Sequence, residues 1–378
     1  MSNNNDKKVL NVPALRFPEF TGEWKKCKLS KVCSFFSGGT PPSSNKEYYN
    51  GNIPFIRSGE LHNDETELFI TKEGLDNSAA KMVEVGDLLL ALYGATSGDI
   101  AISKIKGAIN QAILCIRTKQ NKKFVESVWN KHVARLLQTY LQGGQGNLSA
   151  DIVKNISFYF TNIEEQNKLA RFISLLDQRI AAQNKIIEDL KKLKSAISLK
   201  MLHSDSWEQF RIKDIAIIGR GRVISSVEIS QQKNPTYPVY SSQTSNEGIM
   251  GYLDEYMFEG EYISWTTDGA NAGTVFYRNG KFNCTNVCGL LKLKKGFDTH
   301  FVSLVLAEAT KKYVSVNLAN PKLMNNTMGN IQIRLPKLEE QKRISIVFRR
   351  LHELLAIHNN LLTEYSKQKQ YMLSQMFI

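Results

Sequence analysis

Residues 155–166 read NISFYFTNIEEQ, and residues 330–341 read NIQIRLPKLEEQ. The two stretches lie 175 residues apart, and each joins a short extended segment to the start of a predicted helix. The Glu-Glu pair in each stretch stands in the first helical turn, where the positive end of the helix dipole favours acidic side chains. The repetition indicates that the chain contains an internal duplication.

A long helical pattern follows each copy. Apolar residues recur at alternating steps of four and three, which is the spacing of a coiled-coil seam. The first seam comprises Leu169, Ile173, Leu176, Ile180, Gln183, Ile187, Leu190, Lys194, Ile197 and Met201. The second seam, offset by 175 throughout, comprises Ile344, Phe348, Leu351, Leu355, His358, Leu362, Tyr365, Lys369, Met372 and Met376. The polar breaks coincide as well, which two unrelated amphipathic helices would not be expected to share.

The duplication extends upstream, where WKKCKLSKV at 24–32 resembles WEQFRIKDI at 207–215. Short β-branched and aromatic runs, broken by Gly, Asn, Ser and Pro, predict mixed sheet with many loops in each copy. We therefore predict an α+β fold with two pseudo-symmetric mixed α/β domains, separated by two long antiparallel helices that form a coiled coil. The predicted segments are a first domain at 1–161, a helical spacer at 162–204, a second domain at 205–336 and a second spacer at 337–378.

The length of the predicted helices has a geometric consequence. About 40 helical residues span roughly 60 Å, so each helix is expected to hold the two domains at opposite ends. The economical partner for the second helix is the first, lying antiparallel, and the midpoints of the two then meet. We predict that Gln183 and His358 face each other at the centre of the helix pair, where a buried polar pair fixes register. The alternative is a seam position that tolerates solvent.

Composition narrows the class of partner. The chain has 378 residues, of which 42% are hydrophobic, and 49 Lys and Arg against 36 Asp and Glu give a formal net charge of +13. An excess of positive charge favours a polyanionic partner, nucleic acid first and an acidic membrane surface second. The sequence contains no run of roughly 18 apolar residues that could span a membrane. Its five scattered cysteines argue against a disulfide framework, and we expect a cytoplasmic protein.

The sequence shows little sign of catalytic chemistry. The lone Pro-Pro, at Pro41 and Pro42, lacks the flanks of an adenine methyltransferase motif, and the six histidines show no metal-ligand spacing. The stretch IGRGR at 218–222 resembles a nucleotide-binding glycine loop only faintly. Its arginines fit phosphate contact better, and the alternative is a simple turn. We therefore expect a non-catalytic chain with no metal and no cofactor of its own.

Together these features resemble the specificity subunit of type I restriction–modification systems. No single motif is specific, but their order and the duplication are, and the resemblance covers nearly the whole chain. It is carried by LPKLEEQ at 335–341 (weaker at 160–166), SGGTPPS at 37–43, IPFIR at 53–57, YPVYSS at 237–242 and DGANAG at 268–273. The first junction departs from the second in having Thr161 where the second has Pro336.

The resemblance implies two target-recognition domains, each reading one half of a bipartite, asymmetric site on double-stranded DNA, at a spacing set by the helices. It also implies two docked modification subunits that carry S-adenosylmethionine and methylate adenine, and it leaves open whether restriction–translocase subunits join. One alternative is a structural coiled-coil adaptor that joins proteins without reading DNA, and another is a fused methyltransferase. The positive charge and the duplicated loops argue against the first, and the missing motifs argue against the second.

Candidate DNA-contacting residues lie in glycine-rich or polar loops, because loops on a sheet scaffold usually carry recognition. In the first domain they are Ser37, Gly38, Gly39, Thr40, Ser43, Arg57, Ser58, Tyr93, Thr96, Ser97, Gln145 and Asn147. In the second domain they are Arg220, Arg222, Ser241, Ser242, Gln243, Thr244, Thr267, Asp268, Asn271, Lys322, Asn325 and Asn326. Asn and Gln can read adenine and Arg can read guanine in the major groove. The alternative for each residue is a structural turn or a contact that only positions phosphate.

Overall fold

The computed structural model describes residues 10–141, 148–315 and 320–378, which form two compact units. Unit 1 comprises the chain up to Asn184 together with Asn360–Ile378, and unit 2 comprises Lys185–Asn359. Each unit therefore contains one globular part and about half of each long helix. No helix among the described residues is long and apolar enough to cross a membrane.

The first globular part is built from short strands and four helices that precede the first long helix. The strands of unit 1 are β1 (Lys25–Lys28), β2 (Cys33–Ser37), β3 (Tyr49–Ile56), β4 (Phe69–Ile70), β5 (Lys81–Val83), β6 (Leu88–Ala91), β7 (Ile100–Ile102), β8 (Gly107–Ile109), β9 (Ile113–Thr118) and β10 (Ser157–Phe160). Its helices are α1 (Leu29–Val32), α2 (Lys72–Asp76), α3 (Lys122–Leu141), α4 (Ala150–Asn155) and the first half of α5 (Ile163–Met201).

The second globular part has a matching set of elements. The strands of unit 2 are β11 (Glu208–Arg211), β12 (Ala216–Arg220), β13 (Tyr237–Tyr240), β14 (Ile249–Leu253), β15 (Phe258–Glu259), β16 (Tyr262–Thr266), β17 (Val275–Arg278), β18 (Lys281–Cys284), β19 (Cys288–Leu293) and β20 (Gln332–Leu335). Its helices are α6 (Ile212–Ile215), α7 (Ser226–Ser230), α8 (Thr299–Ala309), α9 (Asn325–Asn330) and the first half of α10 (Leu338–Met376).

The strands of both units are joined in the same order. In unit 1 they form the pair β1-β10, the antiparallel sheet β2-β9-β6-β7 and the mixed sheet β4-β3-β8-β5, in which β3 and β8 are parallel. In unit 2 they form β11-β20, β12-β19-β16-β17 and β14-β13-β18-β15, in which β13 and β18 are parallel. The duplication seen in the sequence is therefore a duplication of topology, and the predicted fold class of two pseudo-symmetric α/β domains is confirmed.

The halves of the long helices pack antiparallel within unit 1. The carboxylate of Asp177 lies 2.5 Å from Nζ of Lys369, and the guanidinium of Arg179 lies 4.3 Å from the centre of the Tyr365 ring. Residue numbers rise along α5 while they fall along α10, so the two helices run in opposite directions.

Unit 2 shows the same packing. Ile197 and Met201 of α5 pack against a buried cluster that includes Ile344 and Phe348 of α10. All four are members of the predicted seams. The seam centre, where Gln183 was predicted to face a histidine, falls at the division between the units, so that meeting stays a prediction, as do the predicted domain boundaries.

A buried glutamine fixes the start of α5. Gln166 is fully buried, and its Oε1 accepts a hydrogen bond of 3.1 Å from the backbone N–H of Asn121. Its Nε2 donates to the carbonyl oxygen of Thr161 at 2.7 Å. Asn121 in turn caps α3, because its side chain accepts from the N–H of Phe124 at 3.0 Å. One side chain therefore joins the start of the long helix to the residue directly after β10 and to the start of α3.

Gln341 does the same at the start of α10. Its Oε1 accepts from the backbone N–H of Asp298 at 2.9 Å, and its Nε2 donates to the carbonyl oxygen of Pro336 at 2.8 Å. Asp298 is the residue that caps α8. The final glutamine of the duplicated Glu-Glu-Gln motif thus has the same role in both units, since it anchors each globular part to its helix.

We predict that Gln166→Leu and Gln341→Leu each lower the free energy of unfolding by about 1–3 kcal/mol, because each change leaves buried backbone groups without partners at little change in volume. Urea unfolding of the full chain measures the effect. Gln370→Leu is the matched control, because Gln370 is exposed on α10 and its replacement should change stability by less than about 0.5 kcal/mol. Equal losses at all three positions would contradict the anchoring role.

Candidate DNA-recognition surface

Two predicted recognition loops begin at a close approach between sheets. A Cβ atom on Gly38, directly after β2, would lie 1.8 Å from the carbonyl oxygen of Ile109. A Cβ atom on Gly221, directly after β12, would lie 1.5 Å from the carbonyl oxygen of Cys284. No side chain fits at either position, so both loops leave the sheet at the same point of their unit.

The loops β6–β7 and β16–β17 also share one conformation. Gly94 and Gly98 have φ values of 83° and 85°, and Gly269 and Gly273 have φ values of 89° and 83°. Glycine adopts these positive values readily and other residues do not. At the offset of 175, two predicted contact residues of unit 1, Tyr93 and Thr96, stand where unit 2 has Asp268 and Asn271. The candidates Ser97 and Thr267 lie in the same loops but at positions that do not correspond.

Side chains link the predicted loops of unit 2 to one another. The hydroxyl of Ser242 donates to Oδ1 of Asp268 at 3.2 Å, and Nδ2 of Asn271 donates to the hydroxyl of Thr244 at 3.0 Å. Nε2 of Gln243, which is itself exposed, donates to the backbone carbonyl oxygen of Ile249 at the start of β14. The loops that follow β13 and β16 therefore form one continuous polar surface.

Arg220 extends this surface. Its Nε donates to Oδ1 of Asn325 at 2.9 Å, and its Nη1 donates to the carbonyl oxygen of Asn286 at 3.3 Å. Lys322, three residues before Asn325, is exposed and forms an isolated β-bridge with Asp268. Among the described residues the hydrogen-bond partners of Arg220 are all neutral, so no carboxylate compensates its charge.

Arg57 and Arg222 differ in this respect. Arg57 lies 2.7 Å from a carboxylate oxygen of Glu60 and 2.8 Å from one of Glu67, and Arg222 donates to Glu228 at 2.9 Å. Burial of Glu60 opposes its ionisation, but hydrogen bonds, above all those from Arg57, outweigh burial and lower the pKa of the carboxyl to about 2. To contact DNA, the guanidinium groups of Arg57 and Arg222 would each have to leave a carboxylate and bind a phosphate or a base instead.

The remaining candidates of unit 1 differ in their exposure and in their hydrogen-bond partners. The hydroxyl of Thr40 is exposed and donates to Oε1 of Gln111 at 2.6 Å, and Ser43 is exposed in the same loop. Ser97 instead donates to the carbonyl oxygen of Leu92 at 3.0 Å, which is a turn contact. Three further residues, Ser58, Tyr93 and Thr96, are partly buried, and Gly39 is buried. The candidates Gln145 and Asn147 lie outside the described residues.

Three candidates of unit 2 remain. Thr267 is buried, and its hydroxyl donates to the carbonyl oxygen of Val287 at 2.7 Å. Thr267 therefore stabilises the loop and is not itself available to DNA. Ser241 is partly buried and Asn326 is exposed. The predicted set in unit 2 is therefore spatially connected, with polar groups supporting one another from four loops.

Sequence reasoning missed two residues that the structure places in this surface. Gln111 accepts the hydrogen bond from Thr40, and Asn286 supplies a carbonyl oxygen to Arg220. They are separated by 175 residues, the offset of the duplication, and both are exposed. Both positions carry an amide side chain at the offset of the duplication, and an alignment of the two copies could have identified them by this match. No group of three or more potential metal ligands occurs within the described ranges.

Comparison with known proteins gives a family match over most of the chain. The family described as type I restriction modification DNA specificity domain matches twice, at residues 21–192 and 204–365. A relative named type I restriction enzyme MpnII specificity subunit, from Mycoplasma pneumoniae, is 45% identical over 141 residues, which cover 37% of this chain and 42% of the relative. The putative type I specificity subunit S.MpnORF285P of the same organism is 43% identical over 142 residues, covering 37% and 46%.

These matches span about half the length of the curated relatives. The relatives are named as specificity subunits and not as methyltransferases or nucleases, in agreement with the expectation of a non-catalytic chain. Among solved structures, a type I restriction–modification S subunit from M. genitalium has a TM-score of 0.70 at 16% identity, covering 97% of this chain and 99% of that one. A chain from a study of type I R-M complex assembly and conformational transition has a TM-score of 0.57 at 14% identity, covering 94% and 97%. At such identities the likeness shows the fold.

The contact between His62 and Asp99, at the edge of this surface, predicts that the stability of the fold depends on pH. Nε2 of His62 lies 2.9 Å from a carboxylate oxygen of Asp99, the last residue of the β6–β7 loop, and this hydrogen bond raises the pKa of the histidine. A raised folded-state pKa stabilises the fold fully at pH values below the unfolded pKa, about 6.5, and the effect is lost as pH rises through the folded pKa.

We therefore predict that Asp99→Asn lowers the pKa of His62 and destabilises the chain more at pH 5.5 than at pH 8. An NMR titration of the histidine ring and urea unfolding at the two pH values measure both effects. Asp64→Asn is the control, because Asp64 pairs with Lys104 and not with the histidine. An unchanged His62 titration in Asp99→Asn would rule out the pairing.

Proposed function

The chain belongs to the type I restriction–modification DNA specificity family, as the duplicated junction indicated, and we propose that it is the subunit that recognises DNA sequence for such a system. Each unit would read one half of a bipartite, asymmetric site on double-stranded DNA, in the cytoplasm, with the long helices setting the spacing. The observation that carries this proposal is the pair of equivalent loop surfaces on two sheets of identical topology.

Equivalent positions in these surfaces hold chemically different side chains. Ser37 is the last residue of β2, and Arg220 is the last residue of the equivalent strand β12. Tyr93 and Asp268 are the second residues of the equivalent loops β6–β7 and β16–β17. A hydroxyl and a guanidinium, or a phenol and a carboxylate, offer different donors and acceptors to base edges. Two surfaces of one shape and different chemistry suit two different half-sites, whereas an adaptor would have no need of the difference.

The net charge of +13 supports a polyanionic partner, since neutralised phosphates supply most of the non-specific affinity of DNA-binding proteins. Selection from a randomised duplex library by the chain with its cognate modification subunit tests the proposal. The expected outcome is a pair of short, unlike half-sites at one fixed spacing. A single contiguous motif, or salt-sensitive binding without any motif, would contradict two independent readers.

The arginines of the surface give a sharper prediction. Arg220→Ala should weaken binding to the selected site by about 1–3 kcal/mol, because this guanidinium is uncompensated and can reach a base or phosphate without losing a carboxylate. Arg222→Ala should cost less, because Arg222 must first leave Glu228. In unit 1, Arg57→Ala should likewise cost less binding free energy than Arg220→Ala, because Arg57 is paired with Glu60 and Glu67.

Binding to all single-base variants of the site separates the two kinds of contact. Relaxed preference at one position of one half-site would mark a base contact, and uniform weakening with a shallower salt dependence would mark a phosphate contact. A larger loss for Arg222→Ala than for Arg220→Ala would contradict the ranking from charge compensation.

We also propose that the helix pair docks two modification subunits, which would carry S-adenosylmethionine. In unit 2, Ile186, Leu193 and Leu354 each stand one residue before a seam position, and they are between 41% and 49% exposed. In an antiparallel pair the same flanking position of both helices lies on one side of the seam. These residues therefore form an exposed apolar flank, the kind of surface that a partner helix covers.

Unit 1 exposes apolar side chains at a neighbouring position. Leu175 and Tyr371 each stand two residues after a seam member and are 56% and 59% exposed. Positions one before and two after a seam residue are adjacent on a helical wheel, because they are three residues, or close to one turn, apart. Each unit thus offers apolar side chains on this flank, in keeping with two docked partners.

We predict that the double change Leu193→Glu and Leu354→Glu weakens binding of the cognate modification subunit at least tenfold without lowering the melting temperature, because the altered side chains are exposed. Isothermal titration of the subunit into the purified chain measures the affinity. Ile346→Glu is the matched control, because Ile346 is 60% exposed on α10 but lies off the flank. Equal weakening by the control, or none by the double variant, would place the docking surface elsewhere.

A further inference from the structure

Unit 1 begins with a segment that binds the start of α5. This N-terminal arm, residues 10–23, places Arg16 so that it donates two hydrogen bonds, each 2.7 Å long, to the carboxylate of Glu165. The Glu165 side chain is 1% exposed, so the pair is shielded from water. One turn further along α5, Lys168 forms an ion pair with Glu19 of the arm. The arm is therefore held by two ion pairs of opposite polarity.

Aromatic side chains of the arm complete the contact. The ring of Phe17 packs edge-on against that of Phe172, with 6.2 Å between ring centres. Nζ of Lys168 lies 4.5 Å from the centre of the Phe17 ring and 6.0 Å from that of Phe20. Three positions on one face of α5, spaced at three and four residues, thus supply an anion, a cation and an apolar side chain to the arm.

The same three positions exist on α10 in unit 2. The counterparts at an offset of 175 are Glu340, Arg343 and Val347, which again supply an anion, a cation and an apolar side chain. All three are exposed, Val347 at 37%. Within the described part of the chain neither Glu340 nor Arg343 takes part in an ion pair, whereas both counterparts in unit 1 do.

Glu340 and Arg343 line an open groove, and we call it the unit 2 groove. It has a volume of about 840 Å³ and is lined by Trp207, Pro336 and Ile344 together with Glu340 and Arg343. Trp207 is only partly buried, so part of its side chain is open to the groove. The unit 2 groove therefore has the chemistry of an arm-binding site without an arm.

We infer that the unit 2 groove binds a peptide segment of a different protein chain that has the chemistry of the arm. That segment carries an arginine, an aromatic residue directly after it and a carboxylate two residues beyond. Glu340 would accept the guanidinium, Arg343 would pair with the carboxylate, and Trp207 and Val347 would contact the aromatic ring. A different chain is favoured over a second copy, because the arm of every copy is already held within its own unit 1. This binding is independent of the proposed DNA reading.

A labelled peptide with the sequence of residues 10–23 is the probe, titrated by fluorescence anisotropy into the full chain without DNA. We expect saturable binding, weakened at least tenfold by Glu340→Arg in the chain or by Arg16→Glu in the peptide. Combining the two changes should restore at least half of the lost affinity on a logarithmic scale, because the charge pair is re-formed with its polarity reversed. Glu339→Arg, an equal charge change at the preceding exposed residue, should leave the affinity within twofold.

Several outcomes would overturn the inference. Absence of saturable binding to the unchanged chain would show that the unit 2 groove does not accept an arm-like segment. Binding that survives Glu340→Arg would show that the peptide exchanges with the arm in unit 1 or binds elsewhere. Dimerisation of the chain alone, abolished by Glu340→Arg in sedimentation velocity, would identify a second copy as the occupant in place of a different chain.

Discussion

The structure depends on two buried carboxamide side chains. Gln166 and Gln341 are each hydrogen-bonded to the residue directly after the strand that precedes a long helix and to the N-terminus of a shorter helix in the globular part. A buried amide that satisfies backbone groups in two directions fixes position and angle together, because both its donor and its acceptor have directional partners. The seams of the long helices determine how those helices pack. The glutamine contacts act with the buried apolar cores and with the hydrogen bond between His300 and Ser345 to orient each sheet assembly on its own helix segment.

On that shared frame the two units have diverged at their loops. The close approaches at Gly38 and Gly221 and the positive φ values of the paired glycine loops are kept in both copies, since any change there would distort the sheets. The side chains between these fixed points differ in charge and hydrogen-bonding capacity. Such an arrangement lets the chemistry of the surface change while the fold stays the same, which is what a family of proteins reading many different sequences requires.

The sequence predicted the architecture well because the architecture is periodic. A seam with steps of three and four, and an offset of 175 that holds even at polar breaks, can be read without coordinates. The site was harder, because charge compensation depends on where loops fold back. Arg57 and Arg220 look alike in the sequence, yet one lies against two carboxylates and the other against neutral groups. The exposed Gln111 could be recognised only by aligning the copies, since a lone polar residue between strands carries no signal of its own.

The chain path through unit 1 has a consequence for biosynthesis. Phe377 is 1% exposed and lies with its ring centre 5.5 Å from that of Phe124, so the core of unit 1 includes residues made after the whole of unit 2. Domains of nascent chains generally fold in the order in which they leave the ribosome. In this chain unit 2 can complete its core first, although unit 1 begins to be synthesised earlier. The core of unit 1 stays incomplete, with apolar surface exposed, until residues 360–378 have been synthesised. Chaperone demand during translation should therefore fall on the half of the protein that is synthesised first.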